Sequence, residues 1–233
     1  MGVTSINIDQ TKARNSIKIL YNHIKKNPSN EDQVVWLIIT TMNTILTSRE
    51  KVAMIPLKHS LQKAGTRRCL FSRDPQQKYK DLLISQKVKG IHKVISISKF
   101  KKQHGSKEGR QQLLDQYDIF LVTDKGLWDR LPRVLGKQLF KQITPLLLNM
   151  EGTDIQKEVI RSIHSTYMNF RKGDCHSIKI ALTSHTSQQA YENIMNAIDS
   201  IVAALPGGVE NLRSLFIKTA DSTSLPIYEY VEE

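Results

Sequence analysis

The feature that most constrains the fold of this chain is a change in hydrophobic rhythm near residue 67. From there to about residue 149, short apolar runs such as Cys69–Phe71, Val94–Ile97 and Ile119–Val122 alternate with amphipathic segments. Strands that alternate with helices are typical of parallel β-α-β units, in which helices cover a parallel sheet. The sequence therefore predicts a layered β-α-β block over residues 67–149.

The segments on either side of this block follow a different pattern. Residues 1–66 combine an amphipathic helix, for which Asp9 is a suitable N-cap, with a buried strand at Val34–Ile39 and a shorter strand near Ala53–Leu57. Residues 150–233 again combine strands and a helix, and neither outer piece looks complete alone. We therefore expect an α/β protein in which one split α+β domain, 1–66 with 150–233, carries the block as an insertion.

The C-terminal piece is predicted to contain two strands, then a long helix and then a last strand. A polar turn at Arg171–Asp174 suggests that the segments before and after it form a strand pair. The acidic tail from Tyr228 onwards is expected to fray. The predicted elements are strands at 158–170 and 177–182, a helix at Ser187–Leu205 and a last strand at Ser214–Ile217.

The charge of the chain points to a polyanionic partner. The formal net charge is +12 and the isoelectric point is about 9.7, and nucleic acid is the commonest partner of so basic a domain. A generically basic protein and an anionic membrane surface are the alternatives. The charge is spread along the chain rather than gathered on one amphipathic helix, and no apolar run approaches the roughly 18 residues of a membrane helix. We therefore expect nucleic acid and no membrane.

Motifs for catalysis or cofactor binding are missing from the sequence. There is no Gly-x-Gly-x-x-Gly or Walker loop after a strand, no Gly-x-Ser-x-Gly elbow and no His-x-x-x-His pair. The two cysteines, Cys69 and Cys175, are far apart and outside any Cys-x-x-Cys pair, which disfavours a zinc cluster. The sequence predicts a protein that is not an enzyme, with no catalytic residues, no cofactor, no metal and no small-molecule substrate.

Three basic or polar segments are candidates for contact with nucleic acid. The cluster between Ser98 and Gln112 could equally be a solvated helix face or a phosphate-contacting surface. The turn Arg171–Asp174, followed by His176, places cations and a flexible glycine between two strands. The segment Lys218–Pro226 carries hydroxyls that can contact ribose and phosphate, although such a loop can also satisfy its own backbone.

Several segments together resemble the ribosomal protein L1 superfamily. The run Leu215–Thr219 and then Ser222–Pro226 resembles the end of the family's domain, where a strand leads into a Ser/Thr-Thr-Met-Gly-Pro loop that grips RNA. The resemblance covers nearly the whole chain in order. Its other parts are Pro56–His59, Tyr117–Asp124, Leu131–Lys137 and Cys175–Ile178.

The loop differs from that of the ribosomal stalk protein at one place. Ser224-Leu225 stands where the stalk protein has Met-Gly, and leucine adopts the positive φ open to glycine only at a cost. The Ser-Leu-Pro-Ile version is similar to the nucleolar, ribosome-biogenesis branch of the superfamily.

The resemblance implies a ribosomal L1-like two-domain fold. It implies a ribosome-biogenesis factor that binds structured precursor ribosomal RNA in an early nucleolar particle, the precursor of the small subunit. The expected partners are precursor ribosomal RNA and pre-ribosomal assembly factors, and the expected location is the nucleolus. Two alternatives stay open. One is a protein-binding scaffold that docks assembly factors through the apolar segment Leu225–Tyr228 and the inserted domain, with incidental RNA contact, and the other is a stalk protein of the mature large subunit.

The expected RNA surface joins the loop after the last strand to the cationic turn. Both segments are expected to lie on one face of the split domain, where the cations neutralise phosphates and the hydroxyls contact ribose and backbone. The candidate residues are Lys218, Thr219, Ser222, Thr223 and Ser224 from the loop, and Arg171, Lys172 and His176 from the turn.

Overall fold

The computed structural model describes residues 6–28, 31–46, 51–63, 65–143, 145–150, 152, 154–170 and 172–230. Its helices and strands occur in the following chain order: α1 (Gln10–Lys26), β1 (Val34–Ile45), β2 (Lys51–Pro56), β3 (Arg68–Ser72), α2 (Gln76–Ser85), β4 (Lys93–Ser96), α3 (Ile97–Gln103), α4 (Lys107–Gln116), β5 (Ile119–Val122), α5 (Lys125–Leu135), α6 (Lys137–Ile143), β6 (Leu146–Leu147), α7 (Ile155–Ile163), β7 (Ser165–Phe170), β8 (Gly173–Leu182), α8 (Ser187–Ala204), β9 (Leu212–Lys218) and β10 (Leu225–Glu229).

The chain divides into two compact units, a split unit made of Met1–Leu61 with His164–Glu233, and an inserted unit, Gln62–Ile163. The expected split arrangement is thus present, but the second junction follows Ile163 instead of residue 149. Helix α7 accounts for the difference, because Ile155 and Val159 are buried in the core of the inserted unit.

The split unit is built on a four-stranded antiparallel sheet in the order β10-β9-β1-β8. Alternate residues of β1, such as Val35 and Leu37, are fully buried in a core shared with α1 and α8. The residues between them, Trp36 and Ile38, are only half-buried. One face of the sheet is therefore covered by helices and the other is more open.

Local signals fix the ends of the two helices in this unit. The Asp9 side chain accepts hydrogen bonds from the backbone of Thr11 and Lys12 at 2.8 and 3.1 Å, so α1 begins after the predicted N-cap. Thr186 and Gln189 form a reciprocal capping box at the start of α8. Both helices were predicted from the sequence, and both are confirmed.

The region before the cationic turn was predicted incorrectly. Residues 158–170 were expected to be one strand, but they hold the end of α7 followed by β7. β7 and β8 also do not pair with each other, because β7 pairs with β2 and β8 pairs with β1. The predicted strand pair is therefore wrong. A short turn here connects two different sheets.

The inserted unit is a three-layer α/β structure. Its sheet is fully parallel in the order β4-β3-β5-β6. Phe71 faces a core shared with α3, α4, α5 and α6, whereas its neighbour Leu70 faces a core shared with α2 and α7. The predicted α/β fold class, a split α+β domain with a β-α-β insertion, is confirmed.

Candidate nucleic-acid interface

The loop and the turn that were expected to meet lie at opposite ends of the four-stranded sheet. Lys218, where β9 ends, pairs with Trp36 near the start of β1, whereas Gly173, where β8 begins, pairs with Ile45 at the end of β1. Nine residue steps along a strand span about 30 Å. The prediction that the two segments share one surface is therefore wrong, and each end has to be assessed separately.

The end that carries the loop, here called the loop end, presents a row of three side chains across three strands. Lys179 of β8 and Lys218 of β9 both pair with Trp36 of β1, so all three lie on the more open face of the sheet. The Lys179 ammonium is 5.7 Å from the centroid of the Trp36 ring. Lys179 is exposed, and Lys218 and Trp36 are half-buried. Two cations thus flank one aromatic ring.

The loop beside this row is partly closed on itself. The Ser222 hydroxyl accepts from the Thr219 backbone N–H at 2.9 Å and donates to the Thr223 carbonyl at 3.1 Å. Thr219 is 3% exposed, so its side chain does not reach the surface. Thr223 and Ser224 are exposed, and so is Asp221, whereas Lys218 is half-buried.

Two acidic side chains hold the loop end together. Asp32 accepts from the Thr183 hydroxyl at 2.9 Å and from the backbone N–H and hydroxyl of Ser184 at 3.0 and 2.8 Å. The Asp221 carboxylate accepts a hydrogen bond from the side-chain amide of Gln33 at 3.0 Å and so connects the loop to the start of β1. Both carboxylates are engaged in structural hydrogen bonds at this end of the sheet.

The opposite end, here called the turn end, is less suited to a polyanion. Lys172 is exposed there, and Arg171 lies outside the described residues. A cleft of about 500 Å³ opens on the same face of the sheet, and its lining mixes charges of both signs. The lining residues are Thr40, Thr41, Asp174, Cys175, Arg213, Ser214, Phe216, Glu229 and Tyr230.

His176 belongs to the core rather than to a surface. It pairs with Ile39 on the covered face of the sheet, it is 5% exposed, and its ring packs edge-on against Phe170 with centroids 5.7 Å apart. Burial lowers the pKa of this imidazole, with smaller opposing effects from Gly173 and Asp174. Alternation along β8 turns the imidazole of His176, a predicted RNA contact, towards the core and away from the surface.

Sequence analysis missed Trp36 and Lys179. The run Val34–Ile39 is apolar throughout and was predicted to be a buried strand. The informative signal is that a large aromatic residue stands out of phase with the fully buried Val35 and Leu37. Lys179 likewise alternates with the buried Ile178 and Ile180 along β8. A period of two places both residues on the open face.

Among the residues that the structure describes, no group of three or more His, Cys, Asp or Glu side chains is placed to hold a metal ion. Within the same part of the chain, no helix combines the length and the apolar character that crossing a bilayer requires.

Comparison with known proteins gives consistent matches. The model of the ribosomal protein L1p/L10e family matches residues 20–223. Two putative ribosome biogenesis proteins of Schizosaccharomyces pombe are each 30% identical, over 97% and 95% of this chain and 64% and 80% of their own lengths. The ribosomal L1 domain-containing protein 1 of Mus musculus is 26% identical over 96% of this chain, which spans only 52% of that relative.

Proposed function

We propose that this chain binds structured precursor ribosomal RNA during ribosome biogenesis. The chain belongs to the ribosomal protein L1p/L10e family. The similarity to relatives named as putative ribosome biogenesis proteins supports a role in this process. The proposal places the chain in an early nucleolar pre-ribosomal particle of the small subunit, together with assembly factors. It assigns the chain a binding role without catalysis.

One observation of the structure carries the proposal, the row of Lys179, Trp36 and Lys218 beside the exposed hydroxyls of the loop. Lysines neutralise phosphates, an aromatic ring offers a surface for an unpaired base, and hydroxyls can contact ribose 2′-hydroxyls. Of the residues proposed from the sequence, Lys218, Thr223 and Ser224 remain in this surface. Ser222 acts by shaping the loop, and Trp36 and Lys179 are added.

The scaffold alternative loses one of the two features that suggested it, the apolar segment Leu225–Tyr228. The segment Leu225–Tyr228 was expected to be an apolar loop end, but it lies in the edge strand β10. Ile227 is 1% exposed, and Leu225 and Tyr228 pack against the core of the split unit. The Pro226 carbonyl accepts from the Ser16 hydroxyl at 2.6 Å, which fastens β10 to α1. These side chains stabilise the fold and are not an open docking site.

The salt dependence of RNA binding tests this surface. The double variant Lys179→Ala/Lys218→Ala removes both cations of the row, and Lys172→Ala removes an exposed cation at the turn end as a control. Each phosphate contact contributes about 0.7–0.9 to the slope of log Kobs against log salt, so the double variant should lose about 1.5–2 units of slope. Lys172→Ala should leave affinity and slope unchanged.

Equal behaviour of the double variant and the parent chain at several salt concentrations would refute the loop end as the RNA surface. The biogenesis part of the proposal has its own test, crosslinking in cells followed by sequencing of the bound RNA. Reads concentrated in precursor ribosomal RNA are expected, and reads scattered over messenger RNA would contradict the proposal.

A further inference from the structure

The positive charge of the chain is concentrated in the inserted unit. Residues 62–163 contain 21 lysines and arginines against 10 aspartates and glutamates, a net charge of +11, whereas the split unit contains 13 against 12. Most of the long-range attraction for a polyanion therefore arises in the unit that does not hold the loop end.

Part of this charge lies at one edge of the parallel sheet. Helix α2 runs from the carboxyl end of β3 back to the amino end of β4, so the connecting residues 86–92 lie where β3 and β4 begin. Four exposed side chains occur there, Lys87, Lys89, His92 and Lys93. Arg67, also exposed, precedes β3 at the same edge. We call these five residues the basic edge.

The chain holds the basic edge in a defined conformation. The Lys89 backbone N–H donates to the Gln156 side chain at 2.6 Å, which fastens the connection to α7. The His92 N–H donates to the Arg68 carbonyl at 2.9 Å, and the Arg68 N–H lies 3.1 Å from His92 Nδ1. The buried Arg68 guanidinium donates to the Gly90 carbonyl at 3.4 Å and to Gln62 Oε1. The cations thus extend from an ordered backbone.

Among the described residues, the neighbouring acidic groups form no ion pair with these lysines. Asp118 accepts from the Arg67 backbone N–H at 2.7 Å. Asp154, which precedes α7, forms an ion pair with Lys157, and Glu158 of α7 forms one with Arg161. Asp81 on α2 accepts from Gln77. Across the described residues of the inserted unit, Lys87, Lys89 and Lys93 take part in no ion pair. Their charges are therefore directed to solvent or to a ligand.

We propose that the basic edge is a second RNA-binding surface, which holds the phosphate backbone without reading sequence. Several unpaired cations on an ordered loop suit a regularly spaced row of phosphates, and lysine contacts to phosphate carry no base information. This surface extends the proposed RNA binding and rests on it, but it lies in a different unit from the loop end and can be tested apart from it.

The test compares two triple variants of the whole chain that remove the same charge. Lys87→Gln/Lys89→Gln/Lys93→Gln alters the basic edge, and Lys78→Gln/Lys125→Gln/Arg130→Gln removes three exposed cations of α2 and α5. Binding to a mixed-sequence RNA hairpin is measured over a salt series. The basic-edge triple should lose about 2–3 units of slope, as expected for three phosphate contacts, and the control triple should lose less than about one unit.

Equal losses in the two triples would overturn the proposal, because net charge alone would then explain the binding. In a second experiment, poly-glutamate competes with the hairpin for the chain at the same concentration of negative charges. Displacement of the hairpin would also overturn the proposal, because the basic edge would then bind an acidic protein segment. Comparison with Lys179→Ala/Lys218→Ala separates the two surfaces. A loss confined to the loop-end pair refutes the basic edge, and a loss confined to the basic-edge triple refutes the loop end.

Discussion

The buried amide of Asn193 should be one of the largest single polar contributions to the stability of the split unit. Asn193 is fully buried on α8. Its Oδ1 accepts from the His59 backbone N–H at 2.7 Å, and its Nδ2 donates to the carbonyls of His59 and Ile180 at 3.0 and 2.9 Å. One side chain thereby joins α8 to β8 and to the segment that follows β2.

The substitution Asn193→Ala removes these three hydrogen bonds and leaves a donor and two acceptors behind. At about 1 kcal/mol for each of the three bonds, the expected loss is about 3 kcal/mol. Asn196→Ala is a matched control on the same helix. The Asn196 side chain is exposed and donates one hydrogen bond, to the Pro56 carbonyl at 3.1 Å, so its loss should cost under about 1 kcal/mol.

Urea unfolding followed by tryptophan fluorescence measures the difference. The chain has two tryptophans, so a Trp128→Phe background leaves Trp36 to report on the split unit alone. With a slope of about 1.5 kcal/mol/M, Asn193→Ala should lower the midpoint by about 2 M. If Asn193→Ala and Asn196→Ala shift the midpoint by the same small amount, the hydrogen-bonding argument is refuted.

Two further predictions concern pH. Hydrogen bonds from Gln188, then His59 and Lys58, lower the pKa of Glu192 from 4.5 to about 2, so stability present above pH 4.5 should be lost as pH falls towards 2. Glu192→Gln should flatten that part of a urea-midpoint profile, and an unchanged profile would contradict the assignment. Burial lowers the pKa of His176, so the unfolded chain takes up a proton first and stability should fall as pH drops below about 6.5. His176→Leu should reduce that acid sensitivity without changing RNA affinity, and a loss of affinity in a folded variant would restore His176 as an RNA contact.

Elements defined by strong periodicity could be predicted from the sequence. Helix α1 begins after Asp9, and helix α8 occupies Ser187–Ala204 against a predicted Ser187–Leu205. The alternation of strands and helices also gave the parallel sheet of the inserted unit. In these places local propensity, capping and apolar spacing all favour the same structure.

Pairing between strands could not be predicted, and the candidate site depended on it. β8 and β9 both pair antiparallel to β1, so they run in the same direction, and the start of one lies far from the end of the other. A short turn before β8 suggested a hairpin with β7, but each strand has a different partner. The choice of partner depends on burial against α1 and α8, which a local pattern does not encode.

Two local errors have a simpler origin. The residues Val159, Ile160 and Ile163 are β-branched and suggested a strand, although Ile155, Val159 and Ile163 also fit the i, i+4 spacing of a helix. β10 was not predicted because Pro226 interrupts it. Proline is tolerated there because β10 is an edge strand, where one missing N–H costs no ladder hydrogen bond.

The most direct test of the central claim is ultraviolet crosslinking of the whole chain to hairpin RNA, followed by mass spectrometry of the crosslinked peptides. If RNA lies on the loop end, crosslinks should occur at Trp36 and in the segment that contains Lys218. The exposed Cys175 at the turn end is an internal control that should remain unmodified. Crosslinks at Cys175 without any at Trp36 or Lys218 would contradict the account.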